Sequence, residues 1–140
     1  MEPEFVLERY LLRRKDRKQL ERLATELFSF YTRKKYADPY SMVKCITCHR
    51  KQHISQMHCG HYAPRANMCT KFMEINNHPQ CPTCNVSYSG NLKKYKRYLD
   101  RTYGRGTADF ITEQSRKTCK WTKGDLIDLI VTLEGKTEEL

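Results

Sequence analysis

Carboxylates are scarce in the middle of this sequence: between Asp38 and Asp100 there is one, Glu74. A site that grips two metal ions needs several converging acids, so the centre of the chain cannot form one. Long apolar runs are missing too. No segment approaches the roughly 20 apolar residues that cross a bilayer. The first residues, MEPEFVLERYLLRRK, lack the basic-then-apolar layout of a signal peptide. The expectation is a soluble, intracellular, cytoplasmic protein with no membrane partner. Internal repeats and low-complexity linkers are also absent from the sequence. With 140 residues, 39% hydrophobic and 30% charged, the apolar core is modest. A core of that size often needs a metal or a cross-link.

What is present is positive charge, and it is concentrated. Residues 41–105 carry 11 basic and 2 acidic groups, against 10 and 7 in residues 1–40 and 5 and 7 in residues 106–140. A basic centre is the electrostatic footprint of a surface that binds a polyanion. The plainer reading is a set of solvated lysines and arginines on an ordinary basic protein.

The same boundaries divide the chain into three parts: a basic N-terminal helix over 1–40, a central core over 41–105 and a helical segment over 106–140. Leu20, Leu23, Ala24, Leu27, Phe28 and Tyr31 recur at helical steps, which predicts one long helix over 3–35 with RRKDRK (13–18) as a solvated or phosphate-facing turn. Pro39 ends it by disfavouring helix at Asp38. Residues 43–85 are rich in Cys, His, Asn and Pro and read as metal-pinned loops with a small hairpin. Helix returns over 88–104, with Ser89 as cap, Leu92, Tyr95 and Leu99 inward, and Gly104 as its end. A short helix over 106–117 and an amphipathic one over 122–136 complete the chain.

Cys45-Ile46-Thr47-Cys48 and Cys81-Pro82-Thr83-Cys84 are two C-x-x-C pairs. Four thiolates satisfy tetrahedral zinc, and cytosolic thiols stay reduced, so structural zinc is expected and disulfides are not. Cys59 and Cys69 then read as packing or free thiols, and Cys119 as a core thiol near Trp121. The 32 residues between Cys48 and Cys81 exceed the loop of a compact zinc ribbon. A functional insert therefore sits between the knuckles. It contains His58, His61 and Asn76, and Asn85 follows the last cysteine.

This order resembles the zinc-supported HNH, or ββα-metal, nuclease core. CITC, HCGHY, NNHPQCPTCN and SGNLKKYKRYL, in that order, resemble the Rap (NinG) recombination nucleases of lambda-like phages over residues 45 to about 99. The resemblance implies an α+β fold: a small zinc-stabilised ββα-metal core flanked by N- and C-terminal helices. It implies a DNA endonuclease acting on Holliday junctions and D-loops in phage recombination.

In that reading His61 is the general base, because imidazole titrates near neutral pH. Asn85 supplies an oxygen to a single catalytic Mg²⁺ or Mn²⁺, and Asn76 orients His61 or its loop. Many HNH nucleases carry an acidic ligand just before the catalytic histidine; Gly60 stands there in this chain. The second protein ligand then falls to His58, and base and ligand are not separable between His58 and His61. Imidazole suits manganese. Glu74 and His78 are further candidates, for ligand and for phosphate or metal contact, set against surface charge and loop packing. Tyr62 and Arg65 sit beside the scissile strand. Lys93, Lys94, Arg97 and Arg101 meet the phosphate backbone. Tyr88, Tyr98 and Tyr103 stack on unpaired bases or pack in the core. Paired cutting across a junction calls for a homodimer, and recombination proteins are candidate partners.

Two other classes fit parts of the sequence. One is a zinc DNA-binding accessory protein without catalysis. The other is an interaction finger using Leu126, Ile127, Leu129, Ile130 and Leu133 as its docking face.

Overall fold

A computed structural model describes residues 3–140, with side chains from Glu8 onward. The chain divides into two compact units, one joining the N-terminal segment through Tyr31 to Lys120–Leu140, the other formed by Thr32–Cys119.

The first unit is helical. α1 spans Pro3–Arg13, α2 spans Arg17–Lys35 and α6 spans Lys123–Glu138. The single helix expected over 3–35 is two helices. Asp16 Oδ1 accepts from Gln19 N at 2.8 Å and Gln19 Oε1 accepts from Asp16 N at 2.9 Å. This reciprocal capping box starts a new helix where the apolar periodicity runs on. Thr122 and Asp125 make the same kind of box at the start of α6. Leu12, Leu20, Ala24 and Phe28 are buried, as are Leu126, Ile127, Ile130 and Leu133 of α6. Arg9 pairs with Asp128 at 2.9 Å, and Arg17 Nε donates to Trp121 O at 2.8 Å.

The second unit is a mixed α+β fold with two short antiparallel sheets. β1 (Met42–Lys44) pairs with β2 (Lys51–His53) around the first cysteine knuckle. Here His49 takes a left-handed φ of 67° as the chain reverses, and its N–H donates to Cys45 O at 2.9 Å. β3 (His58–His61) pairs with β4 (Asn77–Gln80), His61 opposite Asn77 and Gly60 opposite His78. Between them lie α3 (Met68–Lys71) and a 3-10 turn, Glu74–Asn76. After the second knuckle a π-helical turn, Thr83–Ser87, leads to α4 (Leu92–Tyr103) and α5 (Thr107–Ser115).

β4 is buried at all four residues and carries no aliphatic side chain beyond the ring of Pro79. A buried polar strand depends on partners for its groups, and every side-chain group here except Gln80 Oε1 finds one among the described residues. Asn77 Nδ2 donates to the carbonyls of Lys71 and Met73 at 3.0 and 2.7 Å. His78 lies between the hydroxyls of Tyr95 at 3.0 Å and Tyr103 at 2.7 Å. Gln80 Nε2 donates to Thr47 Oγ1 at 3.2 Å and Gly90 O at 2.8 Å. His78 is therefore a packing residue, not a phosphate or metal contact. Tyr98 and Tyr103 pack their rings against it, while Tyr88 is exposed.

The apolar part of this unit centres on Tyr95 and Leu99 of α4, with Ile46, Ala63, Ala108 and Ile111. Burying Tyr95 and Leu99 contributes roughly 1.5–3 kcal/mol for each large side chain. Leu92 is not part of this face: it is 48% exposed. Ser89 does not cap α4 either; it and Asn91 both take left-handed φ, and Asn91 precedes the helix. Gly104 does end it, at φ 116°.

The reading of Cys69 and Cys119 as unpaired thiols is corrected. They form a disulfide with Cα atoms 5.1 Å apart, and Cys119 is exposed rather than a core thiol. The packing of α3 against α5 brings the two cysteines together across 50 residues of sequence.

Candidate metal centre and histidine cleft

Cys45, Cys48, Cys81 and Cys84 converge so that all four Sγ atoms lie within 4.8 Å of one another. Cys48 Sγ and Cys81 Sγ are 3.6 Å apart. Zinc–sulfur bonds of about 2.3 Å at tetrahedral angles set sulfur–sulfur edges of about 3.8 Å, so the cluster fits zinc. Neutral thiols gain little from such crowding. Burial pushes Cys48 up to about 12 and raises Cys81. Burial also pushes on Cys45, but the Thr47 hydroxyl and neighbouring N–H groups bring it down to about 6. A bound cation is what would hold all four as thiolates. Donors are already aimed at the sulfurs: Thr47 Oγ1 lies 3.2 Å from Cys45 Sγ, Cys84 N lies 3.4 Å from Cys81 Sγ and Asn91 Nδ2 lies 3.5 Å from Cys84 Sγ. Among the described residues this is the only cluster of its kind.

The second knuckle places Asn85 one residue after Cys84. Asn85 Nδ2 lies 3.0 Å from His58 Nδ1 of β3. Asn85 also lines a cleft of about 520 Å³ with His61, Tyr62 and Arg65. Residues three apart in a strand leave opposite faces, so Asn85 is the group that both histidines share.

His61 is largely buried. Burial, then the charges of Arg65 and Lys71, hold its pKa down at about 4. Its ring is therefore neutral at neutral pH and able to accept a proton. The ring of Tyr62 packs 5.5 Å from that of Tyr95.

Asn76 does not reach the cleft. It is fully buried; Ala63 N donates to its Oδ1 at 2.7 Å, and its Nδ2 donates to Thr70 O at 3.0 Å and Ala63 O at 3.3 Å. It pins the loop that follows His61. Glu74 is exposed on its turn. Lys93, Lys94, Arg97 and Arg101 are exposed on α4. Three of them, Lys94, Arg97 and Arg101, border a groove of about 340 Å³ whose other wall is the first knuckle, Ile46–His49.

The sequence profile described as bacteriophage lambda NinG protein matches residues 7–140. The chain belongs to the NinG family. The ninG protein of Salmonella phage P22 is 32% identical over 97 residues, 69% of this chain and 47% of that protein. The chain thus spans about half the length of the curated relative it matches. No solved structure matches it.

Two residues of this NinG-family centre escape a reading by motif. Gln80, just before Cys81, ties the two knuckles together through Thr47 and Gly90. Tyr95, on α4, sends its hydroxyl to the carbonyl of Gly60 at 2.8 Å, in the middle of the strand between the histidines. Their only signal in the sequence is position: one flanks a ligand, the other lies on the inner stripe of a helix. Gly60 is explained by the same geometry. A Cβ there would come within 2.7 Å of Gln80 Cδ, so an acidic side chain at this position has no room.

No helix among the described residues is long and apolar enough to cross a membrane.

Proposed function

We propose that this chain is a DNA endonuclease of the zinc-supported HNH type, acting with a single divalent cation on branched recombination intermediates in the phage-infected cell. The observation that carries the reading is that Asn85, which lines the cleft holding His61, also meets His58 at 3.0 Å. An amide turned over presents Oδ1 in place of Nδ2. Two cis ligands of an octahedral ion with bonds near 2.1 Å are separated by about 3.0 Å. His58 Nδ1 and Asn85 Oδ1 would therefore hold the ion, which would stabilise charge on the phosphate and on the departing 3′ oxygen.

The remaining work belongs to side chains. His61, neutral at neutral pH, takes the proton of the attacking water. Arg65 steadies a non-bridging phosphate oxygen, and Tyr62 supports the strand beside it. Lys93, Lys94, Arg97 and Arg101 supply sequence-independent attraction to the backbone. In chain order the paired strands β3 and β4, separated by α3, precede α4; strand, strand and helix is the order of a ββα-metal core. The preference for Holliday junctions and D-loops rests on the family resemblance, as do paired cutting by a homodimer and recruitment by recombination proteins.

The test is cleavage of a synthetic four-way junction beside a linear duplex of the same sequence, in Mg²⁺ and then Mn²⁺, by wild type and His61→Ala. Metal-dependent junction cutting, lost in the variant while binding persists, supports the proposal. Tight binding without cutting in either metal overturns it and leaves a zinc DNA-binding accessory protein, which the basic groove beside α4 would serve equally well.

A further inference from the structure

We propose that the His58–Asn85 site takes up its divalent cation only together with a DNA phosphate, so that metal and DNA bind as a linked pair. This rests on the nuclease reading and concerns how its cation arrives. Both protein groups are neutral: an imidazole nitrogen and an amide whose Nδ2 lies 3.0 Å from it, and whose Oδ1 takes that place when the amide is turned over. Among the described residues no carboxylate lines the cleft that Asn85 borders. Asp38 accepts the N–H groups of Tyr40 and Met42 in its own turn, and Asp100 accepts Ala108 N at 3.0 Å at the start of α5. Glu74 is exposed on the 3-10 turn and is absent from the cleft lining.

The fixed charges near the cleft are instead positive: Arg65 in its wall and Lys71 acting on His61. A divalent cation approaching this place meets like charge, and two neutral ligands offer little to offset the loss of its hydration shell. A phosphodiester changes both conditions. It brings the missing anionic oxygens, and it neutralises Arg65. The cation and the nucleic acid are each other's best ligand at this site. Linkage then requires that the metal tighten DNA binding by the same factor that DNA tightens metal binding.

The experiment uses zinc-loaded His61→Ala protein, which does not consume the substrate, and Mn²⁺ followed by the loss of its free-ion paramagnetic resonance signal. Three mixtures are compared at fixed ionic strength: protein alone, four-way junction alone and both together. The expected result is weak uptake by protein alone and an apparent affinity raised about tenfold or more in the complex, beyond the sum of the parts. Adding His58→Ala or Asn85→Ala should remove the extra uptake while junction binding through α4 persists. Equal Mn²⁺ affinity with and without DNA overturns the linkage but leaves the nuclease reading standing. No Mn²⁺ bound by the protein alone, together with a complex that takes up no more than the junction alone, overturns both.

Discussion

Gly60 and Gln80 are diagonal neighbours on adjacent strands, at a separation that admits no side chain on the former. A Cβ on Gly60 would lie within 2.8 Å of both Gln80 Cγ and Cδ, and Gln80 is itself fully buried. Gly60→Ala should destabilise the second unit by about 1–3 kcal/mol, the usual cost of overpacking. Urea unfolding measures it. Gly60→Ala combined with Gln80→Ala should recover part of the loss, since the clash goes although the Thr47 and Gly90 bonds go too. A single mutant as stable as wild type would mean that Gln80 has another place to go.

Asn76 holds the loop behind His61 through three buried hydrogen bonds. Asn76→Ala leaves Ala63 N, Ala63 O and Thr70 O without partners, at a cost of roughly 2–3 kcal/mol or more. Thermal unfolding should show this whether or not DNA is present. A loss of cleavage without any loss of stability would instead give Asn76 a direct part in the reaction.

Metal analysis of purified protein should find one zinc per chain. Removing it, or changing Cys48 to Ser, should collapse the second unit, because the four sulfurs join both sheets to the start of α4. Acid should release the metal, since protons compete with it for the thiolates. Retention of near-ultraviolet dichroism and unchanged unfolding after zinc removal would contradict this.

His61 and His78 both have pKa values held down at about 4, chiefly by burial, then by Arg65 and Lys71 for the first and Lys35 for the second. Their unfolded values lie near 6.5. Between about pH 4 and 6.5 the unfolded chain therefore binds more protons than the folded one. Stability is full above that window and falls as pH drops through it. Histidine resonances in the zinc-loaded protein should show both rings still neutral at pH 5. His78→Gln should flatten the acid side of the stability profile. Titration of either ring near pH 6.5 would refute the assignment.

Reductant should distinguish the Cys69–Cys119 bond from the metal cluster. Non-reducing peptide mapping should find this one pair joined and the other five cysteines unbridged. A bond closing about 50 residues stabilises by about 4 kcal/mol in the chain-entropy treatment. Cys69→Ala should lower the melting temperature under oxidising conditions and change nothing under reducing ones.

Much of the metal centre was legible in the sequence because its chemistry is local: C-x-x-C fixes two ligands on one turn, and a second copy completes the set. Asn85 was legible for the same reason, being chained to Cys84. Other features depend on distant parts of the chain. Gly60 gains its meaning only from the β3–β4 register, which pairs strands across an intervening stretch of 15 residues, 62–76. His78 looked available as a ligand until the ring of tyrosines closed around it, and Tyr36, Tyr95 and Tyr98 come from two different helical regions. The break at Asp16 was written as D-x-x-Q, but an apolar stripe that continues in phase on either side conceals a cap. The disulfide had no signal at all, since neither cysteine has a partner nearby in sequence.

The two knuckles also set a clock. They bracket every strand of the histidine sheet, so the ends of a 32-residue loop must be brought together before His61 and Asn85 can share a wall. β4 gives little help with that closure, because a strand of Asn, His, Pro and Gln has almost no oil to drive collapse. A cation held by all four sulfurs would join the ends. The wall that Asn85 gives the cleft would then form with metallation rather than before it.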